Sequence, residues 1–172
     1  MLVLVVGPSG AGKDTLLEAA RVALAHDARF RFARRVITRP ADAGGEAHEA
    51  VTEAEFATRR FALQWRAHGL RYGIPAEAIE PGIVTVANVS RTVIAEAARR
   101  FPVRVIEVTA PAEVLASRLV ARGREAAGDV AQRLARSVAL PDDVIVDTVV
   151  NDGPLEQGMR KFMAALLGCM HD

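Results

Sequence analysis

A second cysteine, long apolar runs and a basic leader are missing from this 172-residue chain, and each absence excludes a class of protein. Cys169 is the single cysteine, so an internal disulfide is impossible and a reducing compartment is expected. No apolar run approaches the roughly 20 residues that a membrane-spanning helix needs. The apolar start at residues 2–6 is too short for a signal peptide. We therefore expect a cytoplasmic protein without a membrane partner.

The chain also lacks an excess of charge of either sign. It has 22 basic and 21 acidic residues and a formal net charge of +1, so no global field favours nucleic acid or a membrane surface. Lysine is rare as well: Lys13 and Lys161 are the only two, which leaves 20 arginines among the 22 basic residues. The planar guanidinium group matches phosphate in geometry. We nevertheless interpret most of these arginines as solvated surface residues.

Predicted strands and helices alternate along the chain, which is typical of an α/β fold with a parallel sheet flanked by helices. The length and the 51% hydrophobic content suit one domain. Strands are predicted at 2–6, 35–38, 61–68, 83–87, 103–108 and 145–150. Helices are predicted at 14–25, 52–60, 90–100, 111–121, 130–138 and 154–167, and a turn at 69–73.

A glycine-rich turn between the first strand and the first helix carries the clearest chemical signal. It fits the Walker A pattern G-x-x-x-x-G-K and consists of Gly7, Pro8, Ser9, Gly10, Ala11, Gly12 and Lys13. Its glycines let backbone N–H groups converge on phosphate oxygens, and the helix that follows directs its positive end at the same place. Lys13 adds a mobile charge for the β- and γ-phosphates. The turn therefore predicts an ATP site.

Asp14 stands where the Walker A pattern has serine or threonine, whose hydroxyl usually meets Mg²⁺. Hard oxygen ligands suit this ion, so Asp14 and Thr15 are the candidate metal-binding residues. An acidic residue is also favoured in the first turn of a helix by the helix dipole. Thr15 has a second interpretation too, as a residue that packs in the first turn.

Two groups of arginines are placed to contact phosphate. Arg35 and Arg39 flank the predicted strand at 35–38, whose end lies on the P-loop edge if the strands are parallel. A second group surrounds a break that contains two glycines, and its members are Arg118, Arg122, Arg124, Arg133 and Arg136. We interpret this break, at about 122–133, as a lid that brings guanidinium groups onto the transferred phosphoryl group. A solvated helix face is the alternative for each of these arginines.

The order and spacing of these pieces resemble the guanylate kinase superfamily over nearly the whole chain. The matching pieces are Gly7 to Lys13, Thr38-Arg39-Pro40, Gly45-Glu46 ahead of His48 and Val51, Glu53-Ala54-Glu55-Phe56, Tyr72-Gly73, Arg118-Leu119, Arg122-Gly123, Arg133-Leu134 and Val149-Val150-Asn151-Asp152. The resemblance implies one P-loop kinase domain over 1–172, with a small acceptor-binding region at about 35–80 and the lid. It also implies ATP and Mg²⁺ as cofactors.

Four further pieces are Gly12-Lys13-Asp14-Thr15, Arg34 to Pro40, His48 to Val51 and His68 to Pro75. Through them the chain is most similar, within the superfamily, to the branch that phosphorylates ribose 1,5-bisphosphate. Guanylate kinases hold guanine with acidic side chains, and their glutamate position corresponds here to Leu63. The second acidic position falls at 87–89, which offers Asn88 but no carboxylate. A site that has neither of these acidic side chains leaves the N–H donors of guanine unpaired. The resemblance implies acceptor binding by Arg35, Arg39, His48 and Tyr72, and catalysis by Lys13, Arg39, Arg118, Arg122 and Arg133.

Three other functions stay open at this point. The first is a nucleoside-monophosphate kinase such as guanylate kinase itself. The second is a kinase with a hydroxyl acceptor, of the gluconate or shikimate type, which needs a general base that the sequence does not present convincingly. The third is a silent binding module, a kind that tends to lose the P-loop, whereas this chain keeps it. Asn151-Asp152 resembles a segment near adenine and equally suits a helix cap.

Overall fold

The structure is a computed structural model that describes residues 1–40, 42, 47–121 and 138–170. Its strands, numbered in chain order, are β1 (Leu2–Val6), β2 (Phe30–Phe32), β3 (Val36–Ile37), β4 (Glu49–Ala50), β5 (Phe61–Ala67), β6 (Leu70–Pro75), β7 (Val84–Asn88), β8 (Val103–Thr109) and β9 (Ile145–Val150). Its α-helices are α1 (Lys13–Ala23), α2 (Glu53–Thr58), α3 (Ile94–Arg100), α4 (Ala112–Ala121) and α5 (Leu155–Gly168), with 3₁₀ turns at Ala76–Ala78 and Arg91–Val93.

The central sheet has five parallel strands in the order β2-β7-β1-β8-β9. All five residues of β1 are buried, and successive side chains enter opposite cores. Val3 and Val5 belong to one hydrophobic cluster, whereas Leu2, Leu4 and Val6 belong to the other. A strand that is buried on both faces reads as a continuous apolar run, because the alternation in its burial disappears. The expected α/β fold with a parallel sheet flanked by helices is confirmed.

Helices α1, α4 and α5 cover one face of the central sheet, and helix α3 and a second sheet cover part of the other. On the helical face, α1 and α5 pack together through Leu16, Ala20, Phe162 and Leu166. Cys169 is buried in the same cluster, and burial raises the pKa of its thiol. The thiol therefore stays protonated and acts as a small apolar core group.

The second sheet has four strands in the order β4-β3-β6-β5. Its strands β5 and β6 form an antiparallel hairpin whose turn is at His68 and Gly69, which have φ angles of 51° and 72°. The predicted turn at 69–73 is therefore wrong, since residues 70–75 form a strand. Gly73 has a packing role: a Cβ there would lie 2.3 Å from the ring of Phe61. The glycine is needed for this close approach and marks no turn.

Most of the other predicted elements are confirmed within a few residues. Helix α2 begins at the expected capping box, in which the Thr52 side chain accepts from the Glu55 N–H and the Glu55 carboxylate accepts from the Thr52 N–H. That second bond lowers the pKa of Glu55. Strands β2 and β4 are not among the predicted strands. The predicted helix at 130–138 and the predicted lid at 122–133 lie outside the described residues.

No helix in the ranges given above is both long enough and apolar enough to cross a membrane.

Candidate active site

A cleft of about 600 Å³ lies where β1 and β7 end and the second sheet faces them. One side is formed by the P-loop, defined here as residues 7–13, and by the start of α1. The opposite side is the second-sheet wall, which consists of Arg35, Arg39, Trp65, Ala67, His68 and Tyr72. The carboxyl ends of parallel strands are the usual place for ligand sites in α/β folds. The cleft therefore brings the predicted nucleotide and acceptor residues together.

The P-loop turns back on itself before α1 begins. Gly12 is the N-cap of that helix and has a φ angle of 85°, a left-handed conformation that residues with a Cβ rarely adopt. The ammonium group of Lys13 donates to the carbonyl of Gly7 at 3.0 Å, so it lies across the mouth of the loop. Backbone N–H groups at the start of α1 then face the cleft together with this charge, an arrangement that favours phosphate.

The back of the P-loop is held by Asn151, which follows β9. Its side-chain amide donates to the carbonyl of Ala11 at 2.8 Å, and its backbone N–H donates to Thr109 at 2.7 Å. A trans peptide directs its C=O and N–H in opposite directions. Fixing the Ala11 carbonyl therefore turns the N–H of Gly12 to the other side of the loop, toward the cleft. Asn151 is only 7% exposed, so this bond is shielded from water.

Arg118 reinforces the same part of the loop. Its guanidinium donates to the carbonyl of Gly10 at 3.2 Å and to the carbonyl of Asn151 at 2.9 Å. Sequence reasoning assigned Arg118 to the group that surrounds the transferred phosphoryl. In this structure it contacts the P-loop from behind and is absent from the cleft lining. Its action on the phosphoryl group stays a prediction.

Asp14 extends from the first turn of α1 toward β7. Its carboxylate accepts a hydrogen bond of 3.1 Å from the side-chain amide of Asn88, which is the last residue of that strand. Asn88 is 5% exposed, and both side chains line the cleft. Asp14 is the only carboxylate among the described residues that line it. One of its oxygens is thus oriented by Asn88, which leaves the other for a ligand.

Two arginines give the second-sheet wall its charge. Arg39 follows β3, and its buried Nε has no hydrogen-bond partner within the described ranges. A buried donor in that state fits an anionic ligand, because leaving it unmet costs about 1–3 kcal/mol. Arg35 precedes β3 and lies 5.5 Å from the ring centroid of Tyr72, which in turn stacks on Trp65 at 5.5 Å. The aromatic pair orients this guanidinium along the cleft.

Comparison with known proteins agrees with this geometry. A family model described as an AAA domain matches residues 2–141. The ribose 1,5-bisphosphate phosphokinase of Acidiphilium cryptum (strain JF-5) is 51% identical, with 98% of this chain and 93% of that protein covered. The chain belongs to the ribose 1,5-bisphosphate phosphokinase family. The family member of Methylobacterium radiotolerans is 48% identical, and the match covers 98% of each chain.

The family also includes longer proteins. A bifunctional ribose 1,5-bisphosphokinase-thymidine phosphorylase of Cupriavidus pinatubonensis is 52% identical over 95% of this chain, which spans 28% of that protein's length. Among solved structures, guanylate kinase from Anaplasma phagocytophilum matches with a TM-score of 0.61 and 19% identity, covering 99% of this chain and 85% of that one. This likeness shows the fold and confirms the expected guanylate kinase-like P-loop architecture.

Most of the site residues predicted for this family line the cleft, and they are Gly7, Pro8, Ser9, Gly10, Gly12, Lys13, Asp14, Thr15, Arg35, Arg39 and Tyr72. Three others lie behind it: Ala11 is fully buried, His48 contacts Arg39, and Arg118 contacts the P-loop. Arg122 and Arg133 lie outside the described residues. Leu63 is 1% exposed in the core beneath Trp65, so the residues of β5 that face the cleft are Trp65 and Ala67.

Sequence reasoning missed the structural use of Asn151. The residue was interpreted as an adenine neighbour or a helix cap, because the motif around it gives no sign of contact with residue 11. Two glycines, at positions 12 and 158, are the features of the sequence that relate to this contact. A Cβ at Gly12 would lie 2.5 Å from the Asn151 amide nitrogen, and one at Gly158 would lie 2.3 Å from its amide oxygen. A glycine inside a helix such as α5 often marks this kind of close contact.

Proposed function

We propose that this chain transfers the γ-phosphate of ATP to ribose 1,5-bisphosphate, forming 5-phosphoribosyl 1-diphosphate and ADP. The observation that carries the proposal is a single cleft with a P-loop on one side and two arginines on the other. The 48–51% identity to full-length members of the family supports the same acceptor. Phosphonate catabolism as the pathway and the cytoplasm as the location belong to the proposal.

The P-loop is the proposed site for the phosphates of ATP. Asn151 and Arg118 fix the loop, and its backbone N–H groups donate to the phosphate oxygens. No reorganisation of the loop is needed when charge shifts during transfer. Lys13 keeps its mobile ammonium group in contact with the β- and γ-phosphates during the transfer. The predicted lid at about 122–133, with Arg122 and Arg133, is proposed to close over the same phosphates.

Asp14 and Thr15 are the proposed holders of Mg²⁺. The donor set fits this ion, since a carboxylate oriented by Asn88 and a hydroxyl beside it are hard oxygen ligands at the mouth of a phosphate site. When bound, Mg²⁺ neutralises part of the charge on the β- and γ-phosphates. The role of Asn88 is to keep one carboxylate oxygen fixed, so that the second points in a defined direction.

The second-sheet wall is the proposed acceptor site. A sugar bisphosphate carries two anionic groups, and the wall offers two guanidinium groups on either side of β3, from Arg35 and Arg39. Tyr72 orients the first through its ring and itself lines the cleft. Guanidinium groups bind phosphate with two parallel hydrogen bonds, which fixes orientation as well as position. The wall thereby aligns the acceptor with the P-loop.

The transfer itself needs no general base. An oxygen of the 1-phosphate is already anionic near neutral pH, so it attacks the γ-phosphorus directly. A new P–O bond forms on that oxygen, the bond from the γ-phosphorus to the bridging oxygen breaks, and ADP leaves with the bridging oxygen. The chain contributes alignment and positive charge, which are the main requirements of phosphoryl transfer.

Guanylate kinase activity is the main rival. Guanine presents N–H donors that need acceptors, and Asp14 is the one carboxylate in the described cleft lining. That carboxylate lies in the first turn of α1, next to Lys13 in sequence, and already accepts a hydrogen bond from Asn88. A site of this kind leaves the donors of guanine unmet at a cost that disfavours the base. A silent binding module is a second rival, and the intact P-loop with Lys13 argues against it.

The deciding experiment is a coupled assay of ADP release with four acceptors: ribose 1,5-bisphosphate, GMP, AMP and gluconate. We expect fast turnover with ribose 1,5-bisphosphate alone and formation of 5-phosphoribosyl 1-diphosphate as the product. Preferential turnover of GMP would replace the proposal by its main rival. Absence of ADP release with every acceptor, in a folded protein, would favour a binding module.

A further inference from the structure

His48 lies directly behind Arg39 and contacts it twice. It is 5% exposed, precedes β4 and is not among the described residues that line the cleft. Its Nδ1 is 3.3 Å from the Nη2 of Arg39, and its Nε2 is 3.2 Å from the carbonyl oxygen of the same residue. One imidazole ring therefore bridges the side chain and the backbone of Arg39.

The chemistry of these partners fixes the state of the ring. A guanidinium group only donates, so Nδ1 has to accept from it. A carbonyl oxygen only accepts, so Nε2 has to carry a proton and donate. Both bonds are formed together when Nε2 donates and Nδ1 accepts.

The backbone of His48 is itself anchored. The guanidinium of Arg34 donates to its carbonyl at 2.8 Å, and the next residue, Glu49, donates its N–H to the carbonyl of Arg35 at 2.8 Å. Strand β4 then continues as a parallel partner of β3, with Val36 opposite Glu49. The backbone of His48 is therefore held beside β3, the strand that lies between Arg35 and Arg39, and its position does not depend on a bound ligand.

We propose that His48 is a positioning residue, which holds the guanidinium of Arg39 in the direction needed for the acceptor phosphate without touching the acceptor. This inference rests on the proposed function, since it assumes that Arg39 binds a phosphate of the acceptor. An arginine side chain has about 2 kcal/mol of rotamer entropy to lose when it binds. A partner that restricts it beforehand reduces that loss and favours binding of the acceptor alone.

Replacing the ring tests the inference through the two Michaelis constants. His48→Leu keeps the size of the side chain and removes both bonds to Arg39. We expect the KM for ribose 1,5-bisphosphate to rise about tenfold, the factor that one ordinary hydrogen bond contributes. The KM for ATP should change less than twofold. An unchanged acceptor KM, or an equal rise of both constants, would overturn the inference.

His48→Asn and His48→Gln separate the two contacts. Asparagine places an acceptor near the position of Nδ1, whereas glutamine places a donor near the position of Nε2. Because the first contact orients the guanidinium, asparagine should recover most of the acceptor affinity and glutamine little of it. Asparagine variants no better than leucine, in proteins with the same melting temperature, would contradict the proposed role. The same comparison keeps the test decisive if the leucine variant folds poorly.

A double-mutant cycle with Arg39→Ala distinguishes positioning from direct binding. If His48 acts through Arg39, then His48→Leu should leave the acceptor KM of the Arg39→Ala protein unchanged within about twofold. A further rise in that background would mean that His48 contacts the acceptor itself, and the inference would fail. A wild-type protein that does not use ribose 1,5-bisphosphate would instead contradict the proposed function. In that case a crystal structure of His48→Leu with Arg39 in an unchanged rotamer would also refute the positioning role.

Discussion

The two sides of the cleft are built in different ways. The P-loop is one short stretch of chain whose backbone forms the site, and its carbonyls are fixed from behind by Asn151 and Arg118. The second-sheet wall is assembled from side chains on β5 and β6 and on the connections around β3, and its arginines are oriented by other side chains. One side depends on main-chain geometry, whereas the other depends on how individual residues pack.

This difference bears on what each side recognises. Backbone N–H groups bind any polyphosphate of suitable length and carry little information about the rest of the ligand. The side chains of the second-sheet wall fix the distance between the two guanidinium groups, and none of them is a carboxylate. They therefore determine which phosphorylated acceptor fits. We therefore expect substitutions on the P-loop side to affect catalysis with every acceptor, and substitutions on the wall to affect the choice of acceptor.

The largest effect should come from Lys13→Ala. Removing the only ammonium group among the described residues lining the cleft leaves the β- and γ-phosphates without a mobile counter-charge, so kcat should fall by about 10³-fold or more. Lys161→Ala is the matched control, because Lys161 donates to the carbonyl of Val150 on the protein surface. The control should keep full activity in the ADP-release assay. A Lys13→Ala protein with more than a tenth of the wild-type kcat would contradict this assignment.

The second effect should be specific to the wall. Arg39→Ala removes a charged hydrogen-bonding partner of the acceptor phosphate, so the KM for ribose 1,5-bisphosphate should rise about 100-fold. The KM for ATP should stay within about twofold, because the P-loop does not change. Arg29→Ala, which removes an exposed arginine paired with Asp27, is the control. Equal increases in both constants would mean that the two sides are not independent.

The smallest effect should come from a substitution that weakens the contact between Asn151 and the P-loop. Gly158→Ala inserts a Cβ 2.3 Å from the amide oxygen of Asn151, which has to move away from Ala11. We expect the KM for ATP to rise about threefold to tenfold and the acceptor KM to stay constant, since about one hydrogen bond is lost. Gly168→Ala in the same helix meets nothing within 4 Å and should leave both constants unchanged. Identical kinetics for the two variants would show that Asn151 does not orient the loop.

The nucleotide side could be predicted from sequence because its signals are local. Residues 2–6, the glycines and Lys13 are contiguous, so their order alone implies strand, loop and helix. The main strands were predicted for the same reason, since runs of β-branched residues buried on both faces are conspicuous. Arg39 was located from its place beside a predicted strand and Tyr72 through the resemblance to a known superfamily, and the structure brings them to one cleft.

The supporting contacts could not be predicted because they join distant parts of the chain. Arg118 and Gly10 are 108 residues apart, and Asn151 and Ala11 are 140 residues apart. The hairpin was missed for a different reason: Gly73 reads as a turn residue in sequence, although its lack of a side chain makes room for Phe61. His48 was expected to bind the acceptor, and only the structure shows that it contacts Arg39.

The slot that holds Asn151 also constrains how this protein can change over time. Positions 12, 151 and 158 have to vary together, because a larger residue at either glycine leaves no space for the amide. A larger residue at position 158 is tolerated only after residue 151 has become smaller. The carbonyl of Ala11 would then need another hydrogen-bond donor. Residues 12, 151 and 158 are far apart in sequence but form one packing unit, so a redesign has to change them together.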